Sequence, residues 1–278
     1  MKRKLFFVFL IVQTVFTIVS ANASELPSGK ILYIDSNAPG ENYLTIINPD
    51  GSGKKRITPA FNNIMFPKHN EKSGWIGFTN KTQNMSSEIY LLNKSGDRLK
   101  KAITGAAFED FSPDGKFFLY TSSDNRSSLY IYSIENRHAI KVSEDLRITS
   151  AKWSDDGAWI AASALTEDGT SDLYLISTLA QGIKRITATE KVNESFPVFS
   201  RDGKFLAYFT DRHGDNEIEY LAIDQSEIQR PLVRGLYPSL SPDNRWMVFQ
   251  TGNTVSISSI EGLDVKTVTK GTTPIWIK

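Results

Sequence analysis

The sequence predicts an all-β protein: a six-bladed β-propeller of four-stranded antiparallel blades, its ring closed by the C-terminal strand pairing into blade one. Three observations carry this expectation. A short turn motif recurs at nearly constant spacing, each interval has room for four short strands, and the two ends of the chain hold complementary parts of one blade.

The motif is clearest as Phe111-Ser112-Pro113-Asp114-Gly115-Lys116. It returns as Trp153-Ser154-Asp155-Asp156-Gly157-Ala158 and Phe199-Ser200-Arg201-Asp202-Gly203-Lys204, more weakly as Leu240-Ser241-Pro242-Asp243-Asn244-Arg245, and in degenerate form from Phe66 to Lys72. The anchors 66, 111, 153, 199 and 240 are 45, 42, 46 and 41 residues apart. One such tetrapeptide is weak evidence, but repetition at this period marks a repeat architecture. In Ser-Pro-Asp-Gly the proline presets φ at the first corner, the aspartate can bond its own backbone, and the glycine accepts a positive φ.

Each turn leads into a dense apolar strand, such as Phe117-Phe118-Leu119-Tyr120 or Phe205-Leu206-Ala207-Tyr208-Phe209. A polar loop follows, then an alternating strand such as Leu173-Tyr174-Leu175-Ile176, then a basic edge strand such as Lys184-Arg185-Ile186-Thr187. Lysine and arginine on an edge discourage sheet-to-sheet pairing. Short antiparallel strands at this period are the mark of a propeller blade. The ends agree with six blades. Lys30-Ile31-Leu32-Tyr33-Ile34 reads as a second strand with no first, and Thr272 to Lys278 as an innermost strand with nothing after it.

Residues 1–23 read as a signal peptide: a basic start at Lys2-Arg3-Lys4, an apolar run from Leu5 to Val19, and Ser20-Ala21-Asn22-Ala23 ahead of a cut between Ala23 and Ser24. Gln13, Thr14 and Thr17 interrupt the apolar run, so no membrane span is expected after cleavage. Residues 24–278 would then form the propeller, in the periplasm or outside the cell. Removing three basic residues from 32 leaves 29 Lys+Arg against 31 Asp+Glu, and that near-neutral balance argues against a nucleic-acid partner. The absence of cysteine excludes disulfides, thiol catalysis and thiolate metal sites.

The [FW]-S-x-D-G-[KA] repeats, with loops such as Thr210-Asp211-Arg212-His213-Gly214-Asp215-Asn216-Glu217, resemble those of TolB-type propellers over roughly residues 30–278. That repeat also occurs in propeller domains of certain oligopeptidases and in oligogalacturonate lyases. The resemblance implies a non-catalytic module that binds an envelope protein such as a peptidoglycan-associated lipoprotein, and a monomer is expected. TolB carries an α/β domain ahead of its propeller, whereas here the first blade is expected directly after cleavage, which points to a propeller-only relative. The alternative is a propeller enzyme or carbohydrate-binding protein acting on an envelope or extracellular glycan.

Candidate chemistry is sparse. His69, His138 and His213 stand in different repeats without a metal-ligand spacing such as H-x-x-x-H, and no G-x-S-x-G occurs. The acidic loops around Asp124, Glu167-Asp168 and Asp211–Glu217 offer oxygens for calcium, but none follows the EF-hand order, so loop calcium is not predicted and no cofactor is expected. Phe108, Phe196 and Tyr237 each lie three residues before an anchor, which places them at the start of innermost strands near one channel mouth, with Glu109 and Glu194 close by. The expected contact residues are Phe108, Phe196, Tyr237, Arg212 and His213, together with Glu194 and Asp211. On the enzyme reading, Glu194 and Asp211 would be the channel carboxylates, and a retaining glycosidase would need such a pair about 5–5.5 Å apart.

Overall fold

The computed structural model describes residues 27–93, 96–124, 127–143, 145–179, 182–224 and 233–278. The signal sequence and its cleavage site lie outside the described residues. Among those residues, 24 strands form six four-stranded antiparallel sheets and no helix occurs. The innermost strands are Thr272–Ile277 in blade 1, then Ile64–His69, Ala106–Phe111, Arg147–Trp153, Glu194–Phe199 and Leu236–Leu240 in blades 2 to 6. Blade 1 is shared between the ends: Ile31 pairs with Trp276 and Leu32 with Ile275. The indole Nε1 of Trp276 donates to the carbonyl of Ser28 at 3.1 Å, fastening the seam.

Why the strands are so apolar follows from the packing. Among the described residues there are six apolar clusters, one between each pair of neighbouring blades. Both faces of a sheet are therefore covered, which favours runs of apolar residues over strict alternation. Phe118, for instance, packs with Phe108 and Phe111 against Ile89 and Leu91 of blade 2, while its neighbour Leu119 faces blade 4 with Ile148 and Ile160.

The recurring turns are built alike. Ser112 Oγ donates to Asp114 Oδ1 at 2.6 Å and accepts from the Phe117 amide at 3.0 Å, while the Lys116 amide bonds the same aspartate oxygen. Ser154–Asp156, Ser200–Asp202 and Ser241–Asp243 repeat the 2.6 Å bond. Gly115, Gly157 and Gly203 take φ of 72°, 75° and 69°, and Asn244 stands in at 56°.

Blade 2 departs from the expected register. His69, not Phe66, occupies the anchor position: Asn70 takes the place of the turn serine, its amide bonding the Trp75 carbonyl as Ser112 bonds Phe117. The anchors then fall at 69, 111, 153, 199, 240 and 276, and Phe66 becomes the counterpart of Phe196 and Tyr237.

Innermost strands have one unpaired edge, and side chains from the preceding blade satisfy part of it. Ala151 and Trp153 donate their amides to Glu109 and Asp110, Phe196 to Ser150 Oγ, and Trp276 to Ser239 Oγ.

Candidate functional site

Each innermost strand is interrupted by a bulge against its neighbour. In four blades the bulge holds a residue with positive φ directly followed by proline: Phe66 (48°), Phe196 (54°), Tyr237 (55°) and Thr273 (42°). Such a backbone costs on the order of 1–3 kcal/mol per residue, and strain of this kind gathers where a side chain must be aimed. Here it aims side chains at the channel axis. Phe66, Phe196 and Tyr237 meet there, with ring centroids 5.6 Å apart for Phe66–Phe196 and Phe66–Tyr237 and 4.7 Å for Phe196–Tyr237. Blades 2 and 5 are opposite each other in the ring, so this contact between their phenylalanines bars the channel.

Phe108, expected at the same mouth, is not there. It is fully buried between blades 2 and 3, its edge against Gly77, where an added Cβ would lie 2.3 Å from the ring. No proline follows it, its φ is not positive, and the next residue, Glu109, turns to the channel instead.

A second group lies on the same face of the disc. Cross-strand register puts Glu194 level with Thr210, and Thr210 level with Glu217, so the hairpin carrying Arg212 and His213 stands at the N-terminal ends of the innermost strands. Glu194 is fully buried and accepts from Arg212 Nη2 at 2.7 Å and from Thr189 Oγ1 at 3.3 Å. Burial still pushes its carboxyl above the ordinary range. Arg212 Nε lies 3.9 Å from Glu219 Oε2, which also accepts the hydroxyl of Tyr208 at 2.7 Å. His213 Nδ1 is 2.7 Å from Glu217 Oε2 and 3.8 Å from Glu219 Oε1.

His213, Glu217 and Glu219 thus form a compact set whose ligand-type atoms lie within 4.8 Å of one another. The spacing H-x-x-x-E-x-E foreshadows this: residues 217 and 219 share one face of a strand, and the hairpin folds residue 213 back over them. The Arg212 guanidinium already supplies a cation to this cluster. Asp211 plays another part, closing its loop by accepting from the Asn193 amide and side chain at 2.7 Å each. Glu194 and Asp211 are therefore each engaged, with Arg212 and Asn193 respectively.

Next to the aromatic barrier is a cavity of about 40 Å³. Lys68, Glu109, Thr149 and Lys152 of blades 2 to 4 line one side of it, and Val198, Pro238 and Ile275 of blades 5, 6 and 1 the other. Lys152 pairs with Asp110 at 3.4 Å. Glu109 accepts from Thr121 Oγ1 at 2.9 Å, yet burial raises its carboxyl to about 7. Burial, with Lys152 nearby, lowers the Lys68 amine to about 8.

The fold recurs in solved structures. TolB from Acinetobacter baumannii is 23% identical, with a TM-score of 0.77, over 90% of this chain and 67% of that one. A putative TolB from Agrobacterium tumefaciens is 18% identical, with a TM-score of 0.70, over 88% of this chain and 91% of that one. A chain of a nidogen/laminin complex gives a TM-score of 0.72 at 9% identity, over 90% and 99%, so the architecture extends far beyond detectable sequence likeness. The model of the TolB β-propeller domain family (PD40) matches residues 109–274, more than half of the sequence, and the chain belongs to that family.

Proposed function

We propose that the protein is an exported binding module of the cell envelope that takes a protein partner, such as a peptidoglycan-associated lipoprotein, on the face where the innermost strands begin. One observation carries this reading: strained backbone holds Phe66, Phe196 and Tyr237 at the channel axis, on the face that also presents Arg212 and His213. Rigid aromatic anchors beside charged groups are what protein interfaces use for affinity and register. Membership of the TolB β-propeller family supports a protein partner. No helix among the described residues is long and apolar enough to cross a membrane.

The test has two parts. Fractionation of the producing cells should find the protein outside the cytoplasm with its N-terminus at Ser24. Calorimetric titration with the peptidoglycan-associated lipoprotein of the same organism should then show binding that Phe196→Ala or Tyr237→Ala weakens by about 30-fold, the effect of losing a hot-spot aromatic worth about 2 kcal/mol. Binding that both variants leave intact would place the interface elsewhere.

A further inference from the structure

The cavity in the channel is amphipathic by construction. Blades 5, 6 and 1 give it an apolar wall of Val198, Pro238 and Ile275, and blades 2 to 4 a polar wall of Lys68, Glu109 and Lys152. Most of the polar groups are committed. Asp110 holds Lys152 and the Trp153 amide, and Glu109 takes Thr121 and the Ala151 amide. Among those that are not, Lys68 has neither hydrogen bond nor ion pair, and the buried Thr273 Oγ1 on the same lining has no hydrogen-bond partner, among the described residues.

An amine and a hydroxyl without partners among the described residues, set in a small chamber with an apolar opposite wall, describe a receptor for one anionic head on a short hydrocarbon stem. We propose that this chamber binds a carboxylate, the head engaging Lys68 beside Thr273 and the stem lying against Val198, Pro238 and Ile275. The volume, about 40 Å³, is about three water-sized spheres, enough for a carboxylate and part of its stem. The ligand is either a free short-chain carboxylate or the carboxylate of a peptide reaching into the channel. The site does not depend on docking at the rim, since a free carboxylate needs no protein partner.

The charges around Lys68 set the pH behaviour. Glu109 and Asp110 face it from blade 3 and Lys152 from blade 4. Asp110 and Lys152 pair with each other at 3.4 Å, so the balance of charge turns on Lys68 and Glu109. Below about 7 the Glu109 carboxyl is neutral and the Lys68 amine charged, so the chamber is net positive. Above about 8 the amine loses its charge and the carboxyl keeps its own. Carboxylate binding is therefore strongest on the acid side and fades through this interval.

Calorimetric titration of the full chain with sodium butyrate tests the assignment, with butylamine as the control of opposite charge. At about pH 6 butyrate should bind saturably and butylamine should not, and butyrate affinity should fall at least about tenfold between about pH 6 and about pH 9. Lys68→Met should weaken binding by about tenfold or more, and Lys68→Arg should keep most of it. A peptide with a free C-terminal carboxylate, compared with its amide, separates the sources. Binding tighter than butyrate and lost in the amide would identify a peptide ligand; butyrate binding as tightly as the peptide would identify a free acid. If neither binds, or if butyrate binding survives Lys68→Met and is flat with pH, the assignment is wrong. The wild-type pH series decides the matter even if the methionine variant does not fold, and none of these outcomes bears on partner binding at the rim.

Discussion

Replacing Arg212 with methionine isolates the electrostatics of the blade 4–5 junction. The Glu194 side chain has 0% of its surface exposed and that of Arg212 has 28%. Removing one partner of a fully buried pair costs roughly 3–5 kcal/mol. Arg212 is open to water on one side, so screening reduces that to about 2–3 kcal/mol. At roughly 2–4 °C per kcal/mol for a domain of this size, the thermal midpoint should fall by about 5–10 °C. The pH dependence carries the sign. Burial already raises the Glu194 carboxyl above the ordinary carboxylate range, and loss of the guanidinium raises it further. For an acid whose folded pKa exceeds its unfolded one, destabilisation is full above the folded value and gone below the unfolded value. The deficit of the variant should therefore shrink as the pH falls from about 8 towards about 5, and Glu194→Gln added to Arg212→Met should recover much of it at neutral pH. Thermal melts of the wild type, Arg212→Met, Glu194→Gln and the double variant across that range are the assay. A loss below about 1 kcal/mol with no pH dependence would refute the claim that a buried carboxylate depends on Arg212.

Gly77→Ala places a methyl 2.3 Å from the Phe108 ring and should cost about 1–3 kcal/mol in urea unfolding, through overpacking at the blade 2–3 interface. Phe108→Ala should also lower stability, by about 3–5 kcal/mol, but should leave partner binding intact, unlike Phe196→Ala. The turn aspartates Asp114, Asp156, Asp202 and Asp243 all have carboxyls held below 3.8 in the fold by serine and backbone donors. Their stabilisation is complete above the unfolded value and is lost as pH falls through the folded ones, so replacing all four with asparagine should flatten the acid limb of a stability–pH curve. Deleting Thr272–Ile277 removes the buried Ile275, Trp276 and Ile277 from the blade 1 seam, and the product should lose its cooperative melt in near-UV circular dichroism.

The blade repeat was legible because its turn depends on local chemistry: a serine hydroxyl, an aspartate two residues on, and a residue that tolerates positive φ. Where that chemistry lapses, as at His69-Asn70, the motif no longer marks the register, and Phe66, three residues ahead of the true anchor, carries the aromatic side chain that an anchor has elsewhere. The dipeptides Phe66-Pro67, Phe196-Pro197, Tyr237-Pro238 and Thr273-Pro274 held the missing signal, since proline inside a strand marks a bulge or an unpaired edge. Phe108, lacking that proline, follows the ordinary strand path into the interface. Arg212 and Glu194 meet because a hairpin folds over the start of an innermost strand, a tertiary relation that no local spacing encodes. The free amine at Lys68 is likewise a property of three blades converging.

The seam in blade 1 has a kinetic consequence. Pairing Ile31 with Trp276 joins residues 245 positions apart, and closing a loop of that length costs about 5 kcal/mol in chain entropy. Such long-range pairing is slow, so blades 2 to 6 should assemble first as an open arc. In that arc Thr273 and Ile275 are not yet beside Lys68, and the barrier of three aromatic rings has no closed ring to brace it. The capacity to bind would then arise in a single late step, when the strand from Thr272 to Ile277 docks, and a partly made or nicked chain would be silent rather than half active.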